Sequence, residues 1–410
     1  MDRPAADDGR DGEWPTVPSR RLQQVFIAVG LVVLAVNLRP AAVSVAPVLS
    51  DLEASLSMGS TTAGLLTTLP VLCFAAFGLV APWCARAIGV HKVMLVSLAI
   101  TAVGLVYRTT VSSAGVFIAA TVPVLAGVAT ANVLLPSLVK LHFPHRIGRY
   151  TAIYSTAMAT GLSAASFLTV PIADATGSWR GGLASWGVLA AVAVVPWLGL
   201  MRHDVRPEGP VSGGIPFREV ATAPLAWWLA LFFGLQSLQA YAVFGWLPEV
   251  YRGAGLSAQT AGLLLGVATA IGIPLALVLP GLAVRRPNQT PYVLGLCACY
   301  LLGYLGLLAW PVGGAWVWAV LIGIGTGVFP LTLTLIGLRA RTSDGTAALS
   351  GFSQSVGYLI GAVGPFMMGA LFGVTGSWTV PIWVLTVLVV PLAYSGVRAS
   401  APHLLEDQLS

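Results

Sequence analysis

Charge is scarce in this chain. Asp, Glu, Lys and Arg make up 9% of the 410 residues, against roughly a quarter in soluble globular domains. Hydrophobic residues make up 57%. A water-soluble fold of this length cannot cover so much apolar surface, so lipid must be the solvent for most of it. Negative charge is rarest where it would matter most, because no Asp or Glu stands well inside an apolar run. Asp51, Glu53, Asp174 and Glu249 lie at one set of run ends, and Asp344 lies at the other. His91, His142, His145 and His203 fall in connecting segments. Proton-driven carriers usually bury a carboxylate or histidine as a relay. The pattern therefore points to uniport or substrate-coupled anion exchange; proton coupling would have to run through Glu249, Asp344 or the substrate itself.

Other absences narrow the field further. The four cysteines, Cys73, Cys84, Cys297 and Cys299, have no metal-type spacing, because a C-x-C pair on a helix points its thiols to different faces. There is no G-x-x-x-x-G-K-[ST] loop, so ATP is not expected to act within the chain. No cofactor and no metal are expected. Paired carboxylates, or a nucleophile beside a base, are missing from the apolar runs, which argues against an embedded enzyme. Residues 1–21 are polar and lead into a run too long for a signal-peptide core. They read as a disordered tail ahead of an uncleaved first span.

What remains is apolar sequence in long blocks. Runs fall near 22–50, 58–85, 92–110, 114–140, 149–172 and 179–201, then near 223–250, 258–284, 290–310, 315–338, 345–372 and 378–397. A hydrocarbon core ~30 Å thick needs about 20 such residues per helix. Backbone groups in lipid must pair internally, and the runs are too long and uniformly apolar for barrel strands. The expected fold is an all-α membrane protein of twelve transmembrane helices. All but four of the 21 Lys and Arg residues fall on one side if the N-terminus is cytoplasmic. The exceptions are Arg108, Arg180 and Arg252 outside, and Arg39 within a span. The positive-inside rule then puts both termini in the cytoplasm of a multi-pass cell-membrane protein. The net charge of +6 reads as this topology signal and not as a nucleic-acid surface. Trp83, Trp179, Trp227, Trp228, Trp246, Trp310 and Trp378 stand near run ends, as an interfacial belt would.

The longest polar interior stretch, 203–222 (HDVRPEGPVSGGIPFREVAT), reads as a cytoplasmic linker between a bundle over 22–202 and another over 223–398, with a cytoplasmic tail at 399–410. The halves look alike. SMGSTTAGLL at 57–66 and GLSAQTAGLL at 255–264 share an offset with Pro82 and Pro280, and Gly127-x-x-Thr130 and Gly323-x-x-Thr326 share nearly the same one. Duplicated six-helix halves suit alternating access, with a solute site near the midplane between them. A monomer is expected.

Arg39 is the leading candidate for that site. Arg at a helix centre costs about 2.5–3.5 kcal/mol on insertion scales, so such a residue faces a cavity and usually serves function. Pro40 frees the carbonyl of Val36 and pushes Arg39 away from helical geometry. A broken helix beside a fixed cation suits an anion or polar solute. The competing reading has Arg39 snorkel outward or pair with a helix-end carbonyl. Gln236, Gln239, Val243 and Trp246 step by three and four along the seventh run and share a face. Two amides above an indole suit a small planar polar solute, whereas interhelical bonding is the plainer role. Asn37 and Asn132, and the pair Gln354 and Tyr358, are further polar candidates whose alternative is packing between helices. Pro47, Pro70, Pro136, Pro248, Pro274 and Pro365 are expected to kink their helices. Gly357-x3-Gly361 reads as a close helix contact.

Three segments carry a resemblance: NLRPAAVSVAPVLSDL at 37–52, AGLLTTLPVLCFAAFGLVAPWCARAIG at 63–89 and FFGLQSLQAYAVFGWLPEVY at 232–251. They resemble the cyanate/2-nitroimidazole transporter family of the major facilitator superfamily, and the likeness covers nearly all of 25–395. Arg86 stands where the superfamily's loop after the second helix usually carries an acidic residue, so that acidic contact is not carried over. The resemblance implies two six-helix pseudo-symmetric bundles and a secondary transporter of a small anionic or polar solute such as cyanate. The alternative it implies is an exporter of nitroimidazole-like or other drug-like compounds.

Overall fold

The computed structural model describes residues 20–58, 60–200 and 215–409. Most of the amino-terminal tail and the stretch 203–214 of the expected linker lie outside them. Among the described residues, twelve helices are long and apolar enough to cross a membrane. In the first half they are span 1 (Val25–Val43), span 2 (Leu69–Ile88), span 3 (Val90–Tyr107), span 4 (Ala114–His142), span 5 (Pro144–Thr176) and span 6 (Trp179–Leu200). The second half holds span 7 (Pro224–Gly253), span 8 (Thr260–Ala283), span 9 (Thr290–Ala309), span 10 (Ala315–Leu338), span 11 (Ser343–Thr375) and span 12 (Thr379–Ala399). Apolar side chains such as Val103, Phe167, Val374 and Val390 point outward in quantity, as lipid contact requires.

Each half is a bundle held largely by small residues. Gly357 meets the backbone of Gly234 and Ala230, and Gly361 meets Ser237, so span 11 presses directly on span 7. The two bundles touch each other mainly near one end. There span 2 packs on span 11, and span 5 packs on the second half of span 8, where a Cβ on Gly148 would crowd the Pro280 carbonyl and Val284. The first halves of spans 8 and 10 pack chiefly within their own bundle. The molecule is therefore closed at the end that holds the start of span 11 and open at the other.

The last residues close over the sealed end. Leu405 is fully buried and its N–H donates to the Arg339 carbonyl. The Glu406 carboxylate accepts from the backbone N–H groups of Arg341 and Thr342 and from the Thr342 hydroxyl. Burial alone would raise this carboxyl group. The hydrogen bonds outweigh that and hold it below the usual carboxylate range. Gln408 accepts from the N–H of Leu225, so the segment spans from the start of span 7 to the start of span 11.

Several expectations are corrected. Arg39 keeps helical dihedrals (φ −92°, ψ −41°), so Pro40 breaks span 1 by the lost hydrogen bond and not by moving Arg39 out of the helical region. The first apolar run ends in short helical turns, and Leu49–Leu56 forms a separate helix. Trp179 is buried against Phe117 and does not join an exposed belt, whereas Trp83 and Trp310 are exposed. Arg108 is buried, with its guanidinium on the Ser44 hydroxyl and over the Phe117 ring.

Candidate functional site

Among the described residues three spans break, each three or four residues ahead of a proline. A proline has no N–H to give the carbonyl four residues back, and its ring clashes there. Span 1 breaks after Asn37 ahead of Pro40, span 8 at Ile271 ahead of Pro274, and span 10 at Thr326–Gly327 ahead of Pro330. All three breaks face one cavity of about 770 Å³ between the bundles, lined there by Arg39, by Thr269 and Gly272, and by Thr326. Gly161 of span 5 backs onto the first break. A Cβ there would overlap the Val36 carbonyl oxygen, the acceptor to which Pro40 has no N–H to donate.

The floor of the cavity is built by both bundles. The Arg39 guanidinium, from the first half, lies 5.3 Å from the ring centroid of Phe329, from the second. Phe74 of span 2 meets Tyr358 of span 11 with centroids 4.9 Å apart. Phe233 joins Tyr358 at 5.0 Å and Phe329 at 6.3 Å, tying the two contacts together. The Tyr358 hydroxyl is buried close to Arg39 and Asn132 but is in hydrogen-bonding geometry with neither. The buried Ser155 hydroxyl also has no hydrogen-bond partner. Among the described residues no Asp or Glu lines the cavity, so the local field is that of the Arg39 cation.

The eight candidate residues divide evenly. Arg39, Gln236, Trp246 and Tyr358 line the cavity. Gln236 donates to the Ser237 hydroxyl, and the Trp246 indole N–H donates to the Pro365 carbonyl. Gln239 does not line it, because its amide donates to the Leu385 carbonyl and accepts from the Tyr304 hydroxyl inside the second bundle. Asn37 turns back to the Val33 carbonyl of its own helix. Asn132 and Gln354 meet each other instead, at 2.7 Å, across the seam between the bundles. Gln354 continues to the Ser350 hydroxyl, which donates to the Val133 carbonyl, and Ser137 meets Ser343 at 2.9 Å. These bonds form the polar part of the seal.

Sequence reasoning missed Phe74, Phe329 and Ser155. Phe329 precedes Pro330 as Arg39 precedes Pro40, which is a signal in the sequence. Ser155, Met158, Ala159 and Leu162 recur at helical spacing on span 5, and all four line the cavity.

Two six-helix bundles around a central hollow, sealed at one end, are the build of a membrane carrier. The chain belongs to the Major Facilitator Superfamily, whose family model matches residues 25–365. It is 36% identical over 388 residues to the uncharacterized transporter YycB of Bacillus subtilis (strain 168), covering 93% of this chain and 95% of that one. It is 33% identical over 385 residues to the 2-nitroimidazole transporter of Escherichia coli (strain K12), covering 92% and 95% of the two chains. Likeness to the cyanate transport protein CynX of the same organism is 28% over 375 residues, covering 90% and 97%. The resemblance read from the three sequence segments is thereby borne out. Among solved structures, the proton:xylose symporter XylE superposes with a TM-score of 0.74 at 13% identity, covering 95% of this chain and 100% of that one. FucP in its outward conformation superposes with a TM-score of 0.72 at 14% identity, covering 93% and 99%.

Proposed function

We propose that this chain is a secondary transporter that carries a small anionic or polar solute by alternating access, with the solute held between the bundles beside Arg39. One observation carries the reading: the Arg39 guanidinium lines an inter-bundle cavity that has no carboxylate among its described lining residues. A cation held there without a counter-ion attracts an anion, and low dielectric strengthens the attraction. Relatives named for cyanate and for 2-nitroimidazole agree with a small anionic or polar cargo. The units that rock are the bundles at 22–202 and 223–398, joined by the linker 203–222. The protein acts as a monomer in the cell membrane with both termini in the cytoplasm, so the cavity opens outward in this state. Without a carboxylate at the site, uniport or anion exchange is the favoured coupling. The aromatic lining supports a second reading, export of nitroimidazole-like or other drug-like compounds.

Uptake of labelled cyanate into proteoliposomes tests the first reading. Arg39→Ala should lower the rate at least about tenfold, the effect of losing roughly 1.4 kcal/mol or more of a charge-assisted contact, with expression intact. Wild-type rates in this variant would remove Arg39 from the site.

A further inference from the structure

We infer that the preferred solute is a planar aromatic monocarboxylate of benzoate size, bound by its carboxylate to Arg39 and by its ring to the aromatic floor. This rests on the reading that the cavity at Arg39 is the transport site. The cavity of about 770 Å³ is far larger than a three-atom anion such as cyanate. Bound alone at Arg39, cyanate would leave the aromatic walls in contact with water. Pockets of this size bury most of a drug-sized ligand against apolar walls, with a few polar groups fixing its orientation.

The chemistry of the lining selects among larger solutes. Arg39 is the one cationic side chain among the described lining residues, so a dianion would leave a second carboxylate desolvated without a partner. A cation has no carboxylate to meet. A sugar needs many free donors and acceptors, yet the hydroxyls of Thr121, Thr269 and Thr326 are each spent on a carbonyl of their own helix. One N–H of the Gln236 amide is likewise taken, by the Ser237 hydroxyl. Among the described lining residues, the buried hydroxyls that lack a hydrogen-bond partner are those of Ser155 and Tyr358, on the same cavity as Arg39. The three supply the donors that one carboxylate accepts.

The rest of the solute then lies among rings. Phe329 is 5.3 Å from the guanidinium and Phe74 is 4.9 Å from Tyr358, so a carboxylate on Arg39 directs its own body between them. A flat ring gains offset or edge-to-face contacts there that a saturated ring of equal size does not. Both contacts join the two bundles, so a ring seated between them touches each moving part at once.

Binding to the purified full-length protein in detergent, measured by isothermal titration, tests this with four probes. Benzoate carries both features; cyclohexanecarboxylate keeps the charge on a saturated ring; benzamide keeps the ring without charge; cyanate keeps the charge without a ring. Benzoate should bind at least about tenfold tighter than each of the other three, as the loss of a charge-assisted bond or of ring contacts predicts. Phe329→Leu should narrow the preference for benzoate over cyclohexanecarboxylate to about threefold or less. Tyr358→Phe, which removes one hydroxyl, should weaken benzoate about tenfold while its effect on benzamide is smaller. Equal affinity for benzoate and cyclohexanecarboxylate, or tighter binding of cyanate, overturns the inference. If cyanate uptake still depends on Arg39 in that case, the transport reading stands alone; if it does not, both fall.

Discussion

Gln239 and Gln236 are three residues apart on one helix, yet only Gln236 reaches the cavity. Spacing places two side chains on a common face, but it does not say what each neighbouring helix offers them. Gln239 finds the Leu385 carbonyl and the Tyr304 hydroxyl, partners some 146 and 65 positions away in sequence. Such a pairing is invisible before the helices are packed. Gln239→Leu should therefore act on stability and leave transport affinity alone. It orphans the buried Tyr304 hydroxyl, at about 1–3 kcal/mol, and should lower the thermal midpoint while the half-saturation concentration stays within about twofold. A large rise in half-saturation with unchanged stability would return Gln239 to the solute site. Arg39 was legible for the opposite reason: its cost in lipid is a property of the residue and its depth, whatever its neighbours.

At the scale of elements, the prolines told half the story. Pro40 was readable as a break from its missing N–H, which frees the Val36 carbonyl beside Arg39. Pro274 also marks a break, and so does Pro330, whereas Pro70, Pro136, Pro248 and Pro365 leave their helices whole. Whether a freed carbonyl ends a helix depends on what packs beside it, and that is tertiary information. At the first break the neighbour is Gly161, whose missing side chain lets span 5 reach the Val36 carbonyl. Gly161→Ala forces these backbones apart. Overpacking of this kind costs about 1–3 kcal/mol, so the variant should show a lower thermal midpoint and reduced uptake together. Wild-type values for both would mean that spans 1 and 5 can separate at no cost, against the close contact described here.

For the whole molecule, the twelve spans followed from run length and from the demand that backbone groups pair in lipid. The internal repeat foretold two bundles. It could not foretell which end is sealed, because a carrier of this build visits both arrangements with one sequence. Asn132 and Gln354 were picked out as polar residues inside spans, and polar residues in lipid serve either solute or seam. Their bond across the bundles assigns them to the seam.

The seam at Ser137 and Ser343, whose hydroxyls meet at 2.9 Å, gives the most direct test of alternating access. With Cys73, Cys84, Cys297 and Cys299 replaced by Ala, a Ser137→Cys, Ser343→Cys protein can be oxidised to tie the sealed end shut. The account predicts that the oxidised protein still binds solute at the open cavity but transports at less than about a tenth of the reduced rate, since the tied end cannot part. Reductant should restore uptake. Full-rate uptake by the fully cross-linked protein would contradict the account, because the solute would then be crossing without the two bundles separating at that end.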